Sequence, residues 1–222
     1  MIIITGAGRE LLRRAGFEAV FYRDGFATGA RARRECARNR ASGATRSCAK
    51  MPQPVIAKIN GWVFGGGFTV RHRLRYRNRG GRRAIRSLEV NFGHFPGGEV
   101  TIVLTEHLQP KHGLYYALTG KTMNAKEAER IGLITKAVPR ADLDKEVMDI
   151  ANNLKEKAPS ALNAVKEAWY YTFYSNPDVA YEISGLISDK AKAAIGGRPG
   201  LQQFARKEYR PGLGSYKVEE KK

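Results

Sequence analysis

Residues Pro52–Thr69 constrain the chain more than any other stretch. Val55–Ile59 is rich in β-branched residues and bounded by turn formers, which predicts a buried strand. Asn60-Gly61 is a turn signal. Gly65-Gly66-Gly67 then removes every side chain from three successive backbone units, so a ligand can approach the main chain closely. A helix starting just beyond would aim its first unpaired N–H groups at whatever binds there. Such donors suit a site where negative charge develops. A flexible turn is the competing reading of the triplet taken alone.

Composition narrows the classes. A chain of 222 residues has room for one domain with a sizeable core. Cys36 and Cys48 make neither a disulfide framework nor a metal spacing. No apolar run approaches the roughly 20 residues that span a bilayer, and Met1–Ile4 is too short for a signal-peptide core. A reducing, cytoplasmic compartment is therefore expected.

The net charge of +18 points at first to nucleic acid or an anionic surface. Its distribution argues against that. Residues 1–50 carry eleven basic and four acidic side chains, net +7, and residues 69–87 carry eight arginines and no acid, net +8. The rest of the chain is close to neutral at +3. Aromatics for base stacking are nearly absent from the arginine-rich runs Arg31–Arg46 and Arg71–Arg86, with only Tyr76, so nucleic acid is not the expected partner.

Three readings of the two blocks, residues 9–50 and 70–87, compete: a nucleic-acid-binding arm, a solvated charge run, and translation in a shifted frame of GC-rich DNA. The third is preferred. A one-base shift of back-translated Arg13–Gly25 permits Ala-Gly-Leu-Asp-Leu-Lys-x-Tyr-Phe-x-Glu-Thr-Asp. The same phase over the second block permits Cys-Asp-Ile-Ala at its start and Asp-Asp-Ala-Gln-Phe-Gly-Leu-Ser at its end, directly before Glu89. Outside these blocks the pattern is ordinary. Met1–Gly8 reads as a strand entering a glycine turn; it lacks the third glycine of a dinucleotide fingerprint. Helices are expected over Glu99–Leu108, Lys111–Leu118, Ala125–Ile131 (capped by Asn124 and stopped by Gly132), Ala141–Lys157, Pro159–Phe173, Asp178–Ala194 and Leu201–Lys207. Ile134–Val138 reads as a short strand, and Arg9–Lys50 shows no clean periodicity.

The string Pro-x-Ile-Ala-x-x-Asn-Gly-x-x-x-Gly-Gly-Gly, from Pro54 to Gly67, resembles the signature of the crotonase (enoyl-CoA hydratase/isomerase) superfamily. The shifted readings resemble that family's first oxyanion loop and the segment after its triple glycine. Resemblance is weak over Met1–Gly8 and strong over Met51–Thr69 and Leu88–Lys217. It implies an α/β spiral of ββα units over residues 1–138, lacking the usual first strands, and a helical C-terminal region over residues 139–222 that packs in a trimer or hexamer. It implies an acyl-CoA substrate, no metal and no bound cofactor. It gives Gly66 the role of an oxyanion donor, flanked by Gly65 and Gly67 at the substrate, and Glu89 the role of acid/base.

Asn60-Gly-Trp-x-Phe-Gly-Gly-Gly-Phe, Tyr115–Thr122 and the terminal Arg210–Lys217 are similar to the hydroxycinnamoyl-CoA (feruloyl-CoA) hydratase/lyase branch. Thr69 stands where typical hydratases carry a second glutamate, close to the branch's serine. Tyr181 is nearest to a C-terminal tyrosine that contacts the substrate phenol. The branch adds water to the cinnamoyl double bond and then releases an aromatic aldehyde and acetyl-CoA by retro-aldol cleavage. A plain enoyl-CoA hydratase or isomerase is the alternative. Because the first oxyanion loop is not spelled by residues 9–50, weak or absent activity and poor solubility are expected of this chain. His94, His72, His107 and His112 are read as ordinary side chains, and Tyr170, Tyr171 and Tyr174 as core or oligomer contacts.

Overall fold

A computed structural model of the chain describes residues 2–6, 17–21, 53–64, 74–78, 85–87, 89–96, 100–196 and 199–207. Among these, eight strands form: β1 (Ile2–Gly6), β2 (Phe17–Phe21), β3 (Val55–Ile59), β4 (Val63–Phe64), β5 (Leu74–Asn78), β6 (Ile85–Arg86), β7 (Thr122–Met123) and β8 (Lys136–Val138). A five-stranded sheet runs β2-β1-β3-β5-β8 and a three-stranded sheet runs β4-β6-β7. In the larger sheet β1, β3, β5 and β8 are parallel, and β2 is an antiparallel edge strand. Successive strand pairs send one member to each sheet: β3 then β4, β5 then β6. Both sheets advance in the same direction with each repeat, which makes the chain a spiral.

The sequence explains the interior strand. Val55, Ile56, Ala57 and Ile59 are all buried, as befits a parallel strand covered on both faces. Helices α1 (Val100–His107) and α2 (Pro110–Thr119) supply one cover, with Val100, Val103, Leu104, Tyr116 and Ala117 turned inward. Ile85, Met123 and Ala137 join the same apolar cluster from β6, β7 and β8.

Local signals set the next elements. Asn124 caps α3 (Ala125–Arg130), its side chain accepting from the Glu127 N–H at 2.9 Å, an arrangement contributing about 1 kcal/mol. Helix α4 (Leu143–Lys155) buries Leu143, Val147 and Ala151 at helical spacing. Its first turns are tied to the sheet by Lys58–Asp144 and Lys136–Glu146 ion pairs, both 2.7 Å. Asp144 is well exposed, so its pair adds little.

The chain divides into two compact units, residues 1–49 with 55–149, and residues 50–54 with 150–222. In the second unit α5 (Pro159–Tyr174) and α6 (Pro177–Ile195) pack against one another, with α7 (Pro199–Ala205) following. Asn176 caps α6 by accepting from Val179 N at 2.9 Å. Tyr170, Tyr171, Phe173 and Tyr174 touch edge-on or tilted, with centroids 4.9 to 5.5 Å apart. None of the three tyrosines is fully buried, so they are not core residues of this chain.

Two strands correct the sequence reading. Arg9–Lys50 showed no periodicity, yet Phe17–Phe21 pairs along its whole length with β1. The second arginine block carries no expected strand, yet Leu74–Asn78 within it is an interior strand bonded to β3 and β8.

Helices α2 and α3 are pinned by a polar cluster. Arg130 donates from Nε to Glu127 Oε2 and from Nη2 to Oε1, both at 2.8 Å, and the Tyr116 hydroxyl donates to Oε1 at 3.3 Å. The Arg130 hydrogen bonds hold the Glu127 carboxyl below its ordinary value. Burial, then the negative charge of Glu127, pushes the Tyr116 hydroxyl up. A carboxyl depressed by folding stabilises the protein above its unfolded value, and that stabilisation is lost as pH falls through the folded one. Glu127→Gln is therefore expected to lower Tm at pH 7 by about 2–4 °C at most. The difference from wild type should shrink as pH falls below the ordinary glutamate range and vanish once the folded carboxyl is protonated, as thermal melts at several pH values will read.

Candidate active site

The site is built where two adjacent strands end. β4 and β6 are parallel neighbours, with Val63 opposite Ile85 and Phe64 opposite Arg86. The residue after Phe64 is the first of the glycine triplet, and the residue after Arg86 is Ser87. The chain thus leaves both strands at the same edge of the small sheet, from backbones about 4.8 Å apart. Gly65, Gly66, Gly67 and Thr69 themselves lie outside the described residues.

Glu89 opens a short 3-10 turn, Glu89–Phe92, two residues beyond Ser87. Its Oε2 accepts from the Ser87 hydroxyl at 3.2 Å. Its backbone carbonyl accepts from His94 N at 2.9 Å, and Val90 O accepts from Gly93 N at 3.2 Å, which closes the turn. Phe92 and Phe95 stand out into solvent from this turn. His94 is also exposed, as a loop side chain.

Gly120 anchors the turn from below. Its carbonyl accepts from Arg86 Nε at 2.8 Å and from Asn91 Nδ2 at 3.3 Å. Arg86, counted by sequence in the anomalous block, thus ties the end of β6 to the C-terminus of α2. Gly120 adopts φ +56, and a Cβ there would overlap the Asn91 amide. Gly93 has φ +69 but open space around it. Gly120→Ala and Gly93→Ala should both cost about 1–2 kcal/mol for the left-handed backbone. Gly120→Ala should cost more and also reduce activity, because only it displaces Asn91 from the turn that carries Glu89. Urea unfolding of the two variants provides the comparison.

Tyr181 lies on α6 in the second unit and is 81% exposed. Sequence reasoning missed Ser87, Asn91 and Gly120 as supports of Glu89. The Tyr-x-x-x-Gly step at Tyr116–Gly120, a helix end marked by glycine, was the available signal for the last. No group of three or more His, Cys, Asp or Glu among the described residues could hold a metal ion, and no described helix is long and apolar enough to cross a membrane.

Known proteins resemble this chain in sequence and in fold. The sequence model of the enoyl-CoA hydratase/isomerase family matches residues 22–208. Hydroxycinnamoyl-CoA hydratase-lyase of Pseudomonas fluorescens is 31% identical over 224 residues, covering 98% of this chain and 80% of that protein. Carnitinyl-CoA dehydratase of Escherichia coli strain K12 is 30% identical over 139 residues, or 62% of this chain; the chain spans 53% of the dehydratase's length. Among solved structures, the enoyl-CoA hydratase of Bacillus anthracis superposes with a TM-score of 0.70 at 23% identity, over 85% of this chain and 71% of that one. The enoyl-CoA hydratase of Mycobacterium smegmatis gives 0.67 at 20% identity, over 74% of this chain and 63% of that one. These structures carry the fold, and the sequence matches carry the kinship: the chain folds as a crotonase-type α/β spiral and belongs to the enoyl-CoA hydratase/isomerase family.

Proposed function

We propose that the chain acts on an aryl-acrylyl-CoA thioester such as feruloyl-CoA, by hydration and then carbon–carbon cleavage. The observation that carries this reading is the 31% identity with a hydroxycinnamoyl-CoA hydratase-lyase over 98% of the chain. The position of Glu89 beyond β6, beside the strand that leads into the glycine triplet, supports the assignment of roles.

In this reading the Gly66 N–H polarises the thioester carbonyl and stabilises the enolate that forms when water attacks the β-carbon. Gly65 and Gly67 keep the backbone open for the thioester, and Thr69 borders it. Glu89 takes the proton from the attacking water and returns one to the α-carbon. In the second half the β-hydroxyl loses its proton, the bond between the α- and β-carbons breaks, and the electron pair passes to the acetyl-CoA enolate, which is then protonated. An aromatic aldehyde and acetyl-CoA leave. The chemistry asks for no metal and no cofactor beyond the CoA of the substrate. Tyr181 is assigned to the phenol end of the substrate.

The domain assignment is an α/β core over residues 1–138 and a helical region over residues 139–222 that forms a homotrimer or hexamer in the cytoplasm. Val165, Trp169 and Phe173, at successive four-residue steps on α5, are exposed and give that association an apolar stripe. Analytical ultracentrifugation tests it.

The same sequence sets the rate low. Residues 9–50 do not spell a first donor loop, and loss of one oxyanion donor costs about 10²–10³ in kcat. A chain in which residues 9–50 and 70–87 are restored by the one-base shift should therefore turn over at least about 10²-fold faster and be more soluble. Equal activity of the two chains overturns the shifted-frame account. A plain enoyl-CoA hydratase or isomerase is the second reading, favoured by the family match over residues 22–208. Product analysis with feruloyl-CoA and crotonyl-CoA separates the two.

A further inference from the structure

We propose that Ser87 is a positioning residue for Glu89, holding its carboxylate in the orientation that the acid/base step requires; this rests on the role proposed for Glu89. Ser87 is 1% exposed and is the one fully buried polar side chain among the described residues. A buried hydroxyl demands a partner, and its partner is Glu89 Oε2 at 3.2 Å. The hydroxyl donates and the carboxylate oxygen accepts.

The bond spans Leu88 and reaches from the end of a sheet strand to the first residue of a short turn. Ser87 follows β6 directly, and β6 is the middle strand of its sheet, bonded to β4 on one side and β7 on the other. Glu89 begins a single turn beside exposed chain and has three rotatable bonds of its own. Without the bond the carboxylate samples several rotamers. With it, Oε2 is committed to Ser87. The other oxygen, Oε1, is assigned to the reacting water. Ser87 itself does not meet the substrate in this arrangement, since its hydroxyl points at Glu89 from a buried site.

The test compares steady-state kinetics of wild type, Ser87→Ala, Ser87→Thr, Glu89→Gln and the double variant with feruloyl-CoA, alongside thermal melts. Ser87→Ala is expected to lower kcat about 10-fold or more through misplacement of the carboxylate, with KM near wild type. Ser87→Thr, which keeps the hydroxyl, should recover most of the loss. In the Glu89→Gln background, Ser87→Ala should have no further effect on rate, because a residue acting only through Glu89 loses its influence with it. A purely structural role would move both backgrounds alike, raise KM and lower Tm without rescue by threonine; that pattern overturns the proposal. If Glu89→Gln is inactive and Ser87→Ala matches wild type, the role of Ser87 falls while that of Glu89 stands. If Glu89→Gln retains full activity, or the wild-type chain turns nothing over, both fall.

Discussion

Glu89→Gln is expected to lower kcat for feruloyl-CoA by about 10²–10⁴-fold while leaving KM near its wild-type value. The split follows from the role. Glutamine keeps the shape of the side chain, and its amide oxygen can still accept from Ser87, so the turn Glu89–Phe92 and its bonds to His94 N and Gly120 O survive. What is removed is a group that exchanges a proton in the transition state, and such a loss falls on kcat. An equal fall in KM would mark Glu89 instead as a source of strain in the bound substrate. Thermal melts of the variant should superpose on wild type, which separates lost chemistry from lost fold.

Leu104→Ala is expected to be the most damaging single truncation in the first unit. Leu104 is 1% exposed on α1 and packs in the cluster that joins Ala57 and Ile59 of β3 to Ile85 and Ala137. Removing a buried leucine side chain costs about 2.7–5 kcal/mol, depending on how far the surroundings collapse. Here collapse is limited. At Gly113 of α2 an added Cβ would lie only 3.4 Å from the Leu104 carbonyl oxygen, so the two helices already touch there. The cost should sit in the upper part of that range, lowering Tm by roughly 8–15 °C in a chain of this length. Urea unfolding should show a lower midpoint with an unchanged slope. Ile102→Ala on the exposed face of the same helix should change stability by no more than about 0.5 kcal/mol.

Elements with strong local signals were readable before the structure. Val55–Ile59 carries its burial in β-branched residues, α3 carries its limits in Asn124 and Gly132, and α4 carries an apolar face at helical spacing. Two strands were not read; in β5 arginine density hid a period of two. Arg71, Arg73, Arg75, Arg77 and Arg79 alternate with His72, Leu74, Tyr76 and Asn78, and β5 forms in that run. Alternation of this kind is the strand signal whatever the charge of the polar member. Phe17–Phe21 is apolar except for Glu18, too short a run to show a period by itself. The two-residue strands β4, β6 and β7 have too little sequence to signal anything, and neighbouring strands define them.

The candidate site divides along the same line. Glu89 and the glycine triplet were singled out by the family resemblance, since each alone also reads as an ordinary charge or turn. That β4 and β6 are neighbours is a fact of long-range pairing, which no local pattern encodes. The supports of Glu89 were invisible for the same reason: the Gly120 carbonyl reaches Arg86 and Asn91 only because α2 ends beneath the turn. Tyr181 was chosen on a loose local match, and its assignment to the substrate phenol rests on that match alone.

The most direct measurement is product analysis of feruloyl-CoA incubated with near-stoichiometric purified chain and, separately, with Glu89→Gln. Chromatography with mass detection should find vanillin and acetyl-CoA in equal amounts with the wild-type chain and neither with the variant. Absence of both from the wild-type reaction, with crotonyl-CoA also left unhydrated, or equal yields from the two chains, would contradict acyl-CoA hydratase/lyase chemistry at Glu89.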